Sequence, residues 1–97
     1  MIVRMIHVQV RPDQIDTARS IWKEHCAPLM IGVKGCLSEE LLSCREHAGE
    51  MISMATWESQ ADIDAYRVGP DHQEIQRRTR ELLSGAQASV KTYEVVA

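Results

Sequence analysis

The first strand of the chain is predicted by a run of alternating side chains, "IVRMIHVQV" at residues 2–10. Ile2, Ile6 and Val8 fall on one face of such a strand, and Met5 and His7 fall on the other. Because both faces are largely apolar, the strand is expected to lie in the centre of a sheet that is covered on both sides. We expect His7, which points away from Ile6 and Val8, to face the helices.

The rest of the chain divides into two helical regions and three further strands. Apolar residues recur at helical spacing after Pro12, and Pro28 is expected to end that helix. Ser59 with Asp62 resembles a capping box, which predicts a short helix that ends at Gly69. A further helix is predicted at 71–84 with Gly85 past its end, and strands are predicted at 36–46, 50–58 and 88–96.

The order β-α-β-β-α-β predicts an α+β protein with the ferredoxin-like (split βαβ) fold, built as one domain over residues 1–97. In that fold a four-stranded antiparallel sheet carries helices on one face. The other face keeps its Ile, Val, Leu and Met side chains, and an apolar patch of that size is rarely left in water. We therefore expect a homodimer in which two sheets pack face to face into an α+β barrel.

Composition and charge exclude several classes of function. The net charge of −3 argues against a nucleic-acid partner, since such partners require a basic face. The chain has no apolar run of membrane-spanning length, and its first residues lack a signal-peptide pattern, so no membrane and a cytoplasmic location are predicted. Three cysteines without a CxxC pair, together with scattered histidines, give no metal-ligand spacing, and no metal is predicted.

Several short segments, in order and spacing, resemble the antibiotic biosynthesis monooxygenase domain family. They are "RPDQ" after the first strand, "GC" at 35–36, "WES" at 57–59, "AYRVGPDHQE" at 65–74 and the closing "YEVV". The resemblance implies a ferredoxin-like protomer paired into a dimeric barrel, with a pocket between sheet and helices in each subunit. The family is functionally mixed: some members oxygenate phenolic polyketides or quinols without metal or flavin, and others bind and degrade haem.

The residues that characterise the haem-degrading branch are replaced in this chain. His7 stands at the position of its strand Asn, Tyr66 at the position of its Trp, and Gln76 at the position of its iron-ligating His. An amide is a poor ligand for haem iron compared with imidazole, so haem binding is the weakest interpretation. Ligation by His72 from a shifted helix is the remaining route to it.

The polyketide-oxidising branch is matched only in part. Its strand Trp is kept as Trp57, but its pocket Asn is Ser53 here and its Tyr is Ile63. The scaffold is therefore predicted, while neither known set of site residues is complete.

The enzymatic hypothesis is a cofactor-independent monooxygenase that acts on a small phenolic or quinol-type substrate. His72 or His7 would be the catalytic base, because an imidazole titrates near neutral pH. Tyr66, Trp57 and Ser53 would position the substrate, and no cofactor is needed. His72 is preferred because it lies in the first turn of a helix, where the backbone N–H groups favour a neutral imidazole.

The alternative hypothesis is a dimeric protein that binds a small aromatic or apolar molecule without turnover. It explains the missing catalytic side chains better and the histidines worse. Each candidate also has a purely structural interpretation, and Trp57 in particular is expected to be a packing residue more often than a catalyst.

Overall fold

The computed structural model describes residues 1–80 and 88–97, which form an antiparallel sheet with helices on one face. The four strands lie in the order β2-β3-β1-β4, with β1 in the interior as its two apolar faces predict. All three strand pairings are antiparallel. The strands are β1 (Ile2–Gln9), β2 (Cys36–Ser43), β3 (Glu50–Trp57) and β4 (Ala88–Glu94). This arrangement is the ferredoxin-like α+β fold.

The helical segments connect β1 to β2 and β3 to β4. Between β1 and β2 a 3₁₀ turn leads into α1, a π-helical segment and α2. The bounds are Pro12–Gln14 for the 3₁₀ turn, α1 Ile15–Ile21, Trp22–Cys26 for the π-helix, α2 Ala27–Ile31, α3 Gln60–Arg67 and α4 Pro70–Thr79. None of the helices within residues 1–80 and 88–97 is long and apolar enough to cross a membrane.

The prediction that Pro28 ends the first helix is wrong, because the helical path continues to Ile31. Pro28 has no N–H to donate to the carbonyl of Glu24 four residues earlier, and in a regular α-helix its ring would press on that carbonyl. The π-helix at Trp22–Cys26 widens the turn directly before Pro28. That widening lets the chain pass the proline without breaking the helix.

The capping signal at Ser59 is confirmed. Its hydroxyl accepts a hydrogen bond from the backbone N–H of Asp62 at 3.2 Å, and α3 begins at Gln60, directly after Ser59. After Gly69, α4 runs from Pro70 to Thr79. The predicted end of that helix at 80–84 falls mostly outside the described residues, as does Gly85.

A bulge in β2 decides which of its side chains face the helices. Cys36 pairs with Trp57, and the register then shifts so that Glu39 pairs with Ala55. With uninterrupted alternation from Cys36, the neighbouring Glu40 would point inward instead. The extra residue, Leu37, is half exposed, and Glu39 becomes a buried carboxyl.

The prediction that His7 faces the helices is wrong. Its neighbours Ile6 and Val8 line the space beneath the helices, so alternation places His7 on the opposite, open face of the sheet. There it pairs with Ile52 of β3 and Ser89 of β4. The imidazole Nε2 is buried and has no hydrogen-bond partner among the described residues.

The apolar core between sheet and helices consists of two clusters. One is centred on Trp57, Ile63 and Tyr66, and the other contains Val10 and Met51. Side chains of both clusters line a common cavity, which lies between them. The fold therefore leaves an open space in the middle of its core.

Candidate functional site

A cavity of about 260 Å³ lies between the sheet and the helices, close to the lower end of ligand-binding pockets in general. Its walls come from β1 and β3 below and from α1, the π-helix and α4 above. Most of the lining is aliphatic, with Ile6, Val8 and Met51 as examples. A lining of this kind suits a small apolar ligand.

Two aromatic contacts connect the buried core to one wall of the cavity. Trp57 is completely buried, and its indole lies 5.3 Å from the ring of Tyr66 between centroids. Tyr66 in turn meets the imidazole of His72 edge to face, at 5.1 Å and 77°. Tyr66 and His72 both line the cavity, so Trp57 supports them from behind.

The surroundings of His72 favour its neutral form. Burial lowers the pKa of His72, and the positive charges of Arg4 and Arg67 lower it further, against a smaller effect of the Arg67 backbone. A neutral imidazole has one nitrogen that can accept a proton. His72 is therefore suited to act as a base towards a ligand in the cavity at neutral pH.

A second polar cluster lies on the sheet side of the cavity. Ser53 donates a hydrogen bond of 2.6 Å to Oε1 of Glu39, and the Trp22 indole N–H donates to the same oxygen at 3.2 Å. The other oxygen, Oε2, is buried without a partner among the described residues. Burial raises the pKa of Glu39 to about 7, although both hydrogen bonds and Arg4 act in the opposite direction.

Arg4 brings a positive charge to the cavity wall. The residue is only 6% exposed, yet it lines the cavity together with Tyr66 and His72. Burial lowers the pKa of Arg4, but a guanidinium stays charged under any condition a folded protein experiences. The site therefore combines an apolar cavity, one fixed cation, a neutral imidazole and a buried carboxyl.

The predicted site residues are only partly brought together. His72, Tyr66 and Ser53 all line the cavity. Trp57 does not line it, because its side chain is covered on all sides, and His7 lies on the other face of the sheet. Among the described residues, no group of three His, Cys, Asp or Glu side chains is arranged to hold a metal ion.

Sequence reasoning missed Arg4, Glu39 and Trp22. Arg4 had a visible signal, since it lies between Ile2 and Ile6 on the same face of β1. Glu39 had none, because the bulge that turns it inward leaves no mark in the pattern of residues. Trp22 was recognised only as an apolar member of the first helix.

The comparisons with known proteins identify the family of the chain. The family model described as "antibiotic biosynthesis monooxygenase" matches residues 1–78. The chain belongs to this family. No curated protein matches it by sequence.

Solved structures show the same fold at low sequence identity. SnoaB from Streptomyces nogalater, a cofactor-independent oxygenase solved as a mutant, superposes with a TM-score of 0.80 at 13% identity, covering 99% of this chain and 93% of that one. Rv0793 from Mycobacterium tuberculosis gives 0.76 at 21%, with coverage of 100% and 97%. A conserved protein from Methanosarcina mazei Go1 gives 0.80 at 16%, with coverage of 97% and 92%.

Proposed function

We propose that this protein is a monooxygenase that oxidises a small phenolic or quinol-type molecule with dioxygen, using neither metal nor flavin. The observation that carries the proposal is the placement of His72 and Tyr66 together on the wall of an apolar cavity. Membership of the antibiotic biosynthesis monooxygenase family supports it.

The chemistry starts with a proton transfer. Neutral His72 accepts the proton of the substrate hydroxyl, and the resulting phenolate is electron-rich enough to pass one electron to dioxygen. The two radicals combine to a peroxide at a ring carbon, and loss of water leaves a quinone. Phenol plus dioxygen then gives quinone plus water, so the substrate supplies all the electrons and no external reductant is needed.

The other residues of the site bind the substrate and keep water away from it. Tyr66 presents a phenol whose pKa is raised by burial, so it remains a neutral hydrogen-bond donor. Ser53 lies on the sheet side, where its hydroxyl is held by Glu39. Trp57 contributes by fixing the ring of Tyr66 from below. A dry cavity strengthens these polar contacts and protects the reactive intermediates from hydrolysis.

The residues present do not fit the haem-binding interpretation. The slot of the iron ligand is occupied by Gln76, which lines the cavity with an amide side chain. The remaining candidate, His72, packs its ring on Tyr66. A haem macrocycle is also larger than the small aromatic that suits a cavity of about 260 Å³.

The test is oxygen uptake with a panel of naphthols and hydroquinones. His72→Ala should lower the rate by about 10²–10⁴, the usual cost of removing a general base, while the melting temperature stays nearly unchanged. His25→Ala, at an exposed position on the π-helix, is the matched control and should keep the full rate. Activity should fall at low pH, with a midpoint below 6.5, because the active form of His72 is neutral.

Two outcomes would contradict the proposal. Full oxygen uptake by His72→Ala would show that another group is the base. Saturable binding of the same aromatics without any oxygen uptake would instead indicate a small-molecule-binding protein without turnover.

We also propose that the protein is a homodimer joined through the open face of the sheet. That face carries Val3, Met5, Ile52 and Met54, none of them fully buried in the protomer, and Tyr93 at 46% exposure. A stable interface should bury more than about 1,000 Å² in total. Light scattering at micromolar concentration should give about twice the 11.0 kDa of one chain, and a mass of one chain would refute the dimer.

A further inference from the structure

Arg4 is a charged group of the cavity that has no bonded counterion among the described residues. Among the residues the structure describes, none accepts a hydrogen bond from its side chain, and no carboxylate lies within ion-pair distance of it. Four ion pairs are formed elsewhere in the described chain, all between side chains that are at least 36% exposed. Burying a charge without a partner is costly, so an unmatched buried guanidinium points to a ligand.

The guanidinium is open to the cavity. Polar side-chain atoms that are sealed from water and unpartnered occur in His7, Glu39 and Trp57, and no nitrogen of Arg4 is among them. Since Arg4 also lines the cavity, its donors retain contact with the empty space. A ligand that enters the cavity can therefore reach them.

Glu39 is the carboxyl group whose charge acts on Arg4, but it does not bond to the guanidinium. Arg4 of β1 and Glu39 of β2 both pair with Ala55 of β3, so this small residue lies between them. Oε1 of Glu39 is held by Ser53 and Trp22, and no ion pair with Arg4 forms. Glu39 therefore leaves the donors of Arg4 available to a ligand.

We propose that Arg4 binds an oxyanion of the substrate, so that the cavity selects small aromatic molecules carrying a carboxylate or an ionised hydroxyl. The inference rests on the proposed role of this cavity as the substrate site. Aliphatic side chains would hold the aromatic body, and the planar guanidinium would hold the charged oxygen. Arg4 would then stabilise the phenolate that His72 generates.

Binding of 2-naphthoate and of its neutral analogue 2-naphthamide, measured by calorimetry at pH 8, tests the oxyanion site. The protein should prefer naphthoate, and Arg4→Met should weaken naphthoate by at least about tenfold while leaving naphthamide within about twofold. Arg45→Met, which removes an exposed cation between β2 and β3, is the matched control and should keep the preference. Equal affinity of the unmodified protein for the two ligands would exclude a carboxylate as the bound group, and the ionised hydroxyl is then decided by the naphthol measurement.

A second arm uses 2-naphthol, whose ionisation is followed by absorbance. If the bound oxyanion is an ionised hydroxyl, naphthol should ionise at lower pH in the complex than in water, and Arg4→Met should abolish the difference. Naphthoate selectivity without this effect assigns the site to carboxylates. If neither naphthoate binding nor naphthol ionisation depends on Arg4, the proposed oxyanion site is refuted.

Stability provides an independent check on Arg4 and guards against a variant that fails to fold. If no protein group pairs with Arg4, the melting temperature of Arg4→Met should equal or exceed that of the unmodified protein. Naphthoate should raise the melting temperature of the unmodified protein and leave that of Arg4→Met unchanged. A marked loss of stability in both Arg4→Met and Arg4→Lys would mean that the guanidinium has a structural partner, against the inference. Naphthoate binding does not depend on turnover. A protein without oxygen uptake can therefore still bind naphthoate through Arg4, and a protein that fails to bind naphthoate can still oxidise a neutral phenol.

Discussion

Replacing Glu39 by glutamine should make the protein more stable in alkaline solution and hardly change it in mild acid. Glu39 is 8% exposed, and burial raises its pKa from 4.5 to about 7. The folded state therefore holds the proton more tightly than the unfolded state does. The contribution of Glu39 to stability therefore falls as the pH rises from about 4.5 to about 7, because folding then requires an ionised carboxyl to be buried.

The size of the effect follows from that difference in pKa. At 1.36 kcal/mol per pH unit, the interval between 4.5 and about 7 corresponds to an upper limit of about 3 kcal/mol. Glutamine has nearly the same shape and no charge, and its amide oxygen can accept the hydrogen bonds from Ser53 and Trp22. Glu39→Gln should thus exceed the unmodified protein by up to about 3 kcal/mol at pH 9 and by little at pH 5.

Urea denaturation at pH 5, 7 and 9, at one fixed protein concentration, measures this difference. All other titrating groups are common to both proteins, so their contributions cancel when the two free energies of unfolding are subtracted. Glu24→Gln, at an exposed position of the π-helix, is the control and should show no such trend. A difference between Glu39→Gln and the unmodified protein that is independent of pH, or a variant less stable at pH 9, would refute the reasoning.

Two further substitutions probe the packing of the core and of the open sheet face. Trp57→Ala should cost about 3–5 kcal/mol of unfolding free energy, measured by urea denaturation, because the indole is fully buried; a loss below about 1 kcal/mol would show that it is not part of the core. Met54→Asp should shift the proposed dimer towards monomers in light scattering, because a carboxylate would be buried in the interface. Lys23→Asp, on the exposed side of the π-helix, should leave the mass unchanged, and an unchanged mass in Met54→Asp would place the interface elsewhere.

The order of strands and helices could be predicted from the sequence because each element carries a local signal. The alternation in β1 and the cap at Ser59 are examples. The face of β1 that meets the helices could not be predicted, because Met5 and Val3 make the open face about as apolar as the face of Ile6. His7 was placed on the wrong side for that reason.

The polar part of the site was predicted only where it follows the helices. His72 and Tyr66 were identified because the break at Gly69 fixes the start of α4 and so the side it presents. Glu39 depends on a bulge between strands that are distant in sequence, and local patterns carry no information about it. Arg4 could have been found from the alternation in β1, because it is the one charged residue on the face that carries Ile2 and Ile6.

The π-helix at Trp22–Cys26 has a consequence for how this chain can change in length. Each residue of an α-helix turns the path by about 100°, so side chains four apart drift by about 40° per step. Ala18, Trp22, Cys26 and Met30 nevertheless all line the cavity, because the wide turn absorbs part of the drift.

Deleting one exposed residue of that turn, such as Lys23, would close it into a regular α-helical turn and keep the direction of the side chains on either side. A deletion in β1 would instead exchange its two faces and turn Arg4 away from the cavity. Single-residue insertions and deletions should therefore accumulate in the first helical region of homologous chains, while the length of β1 stays fixed.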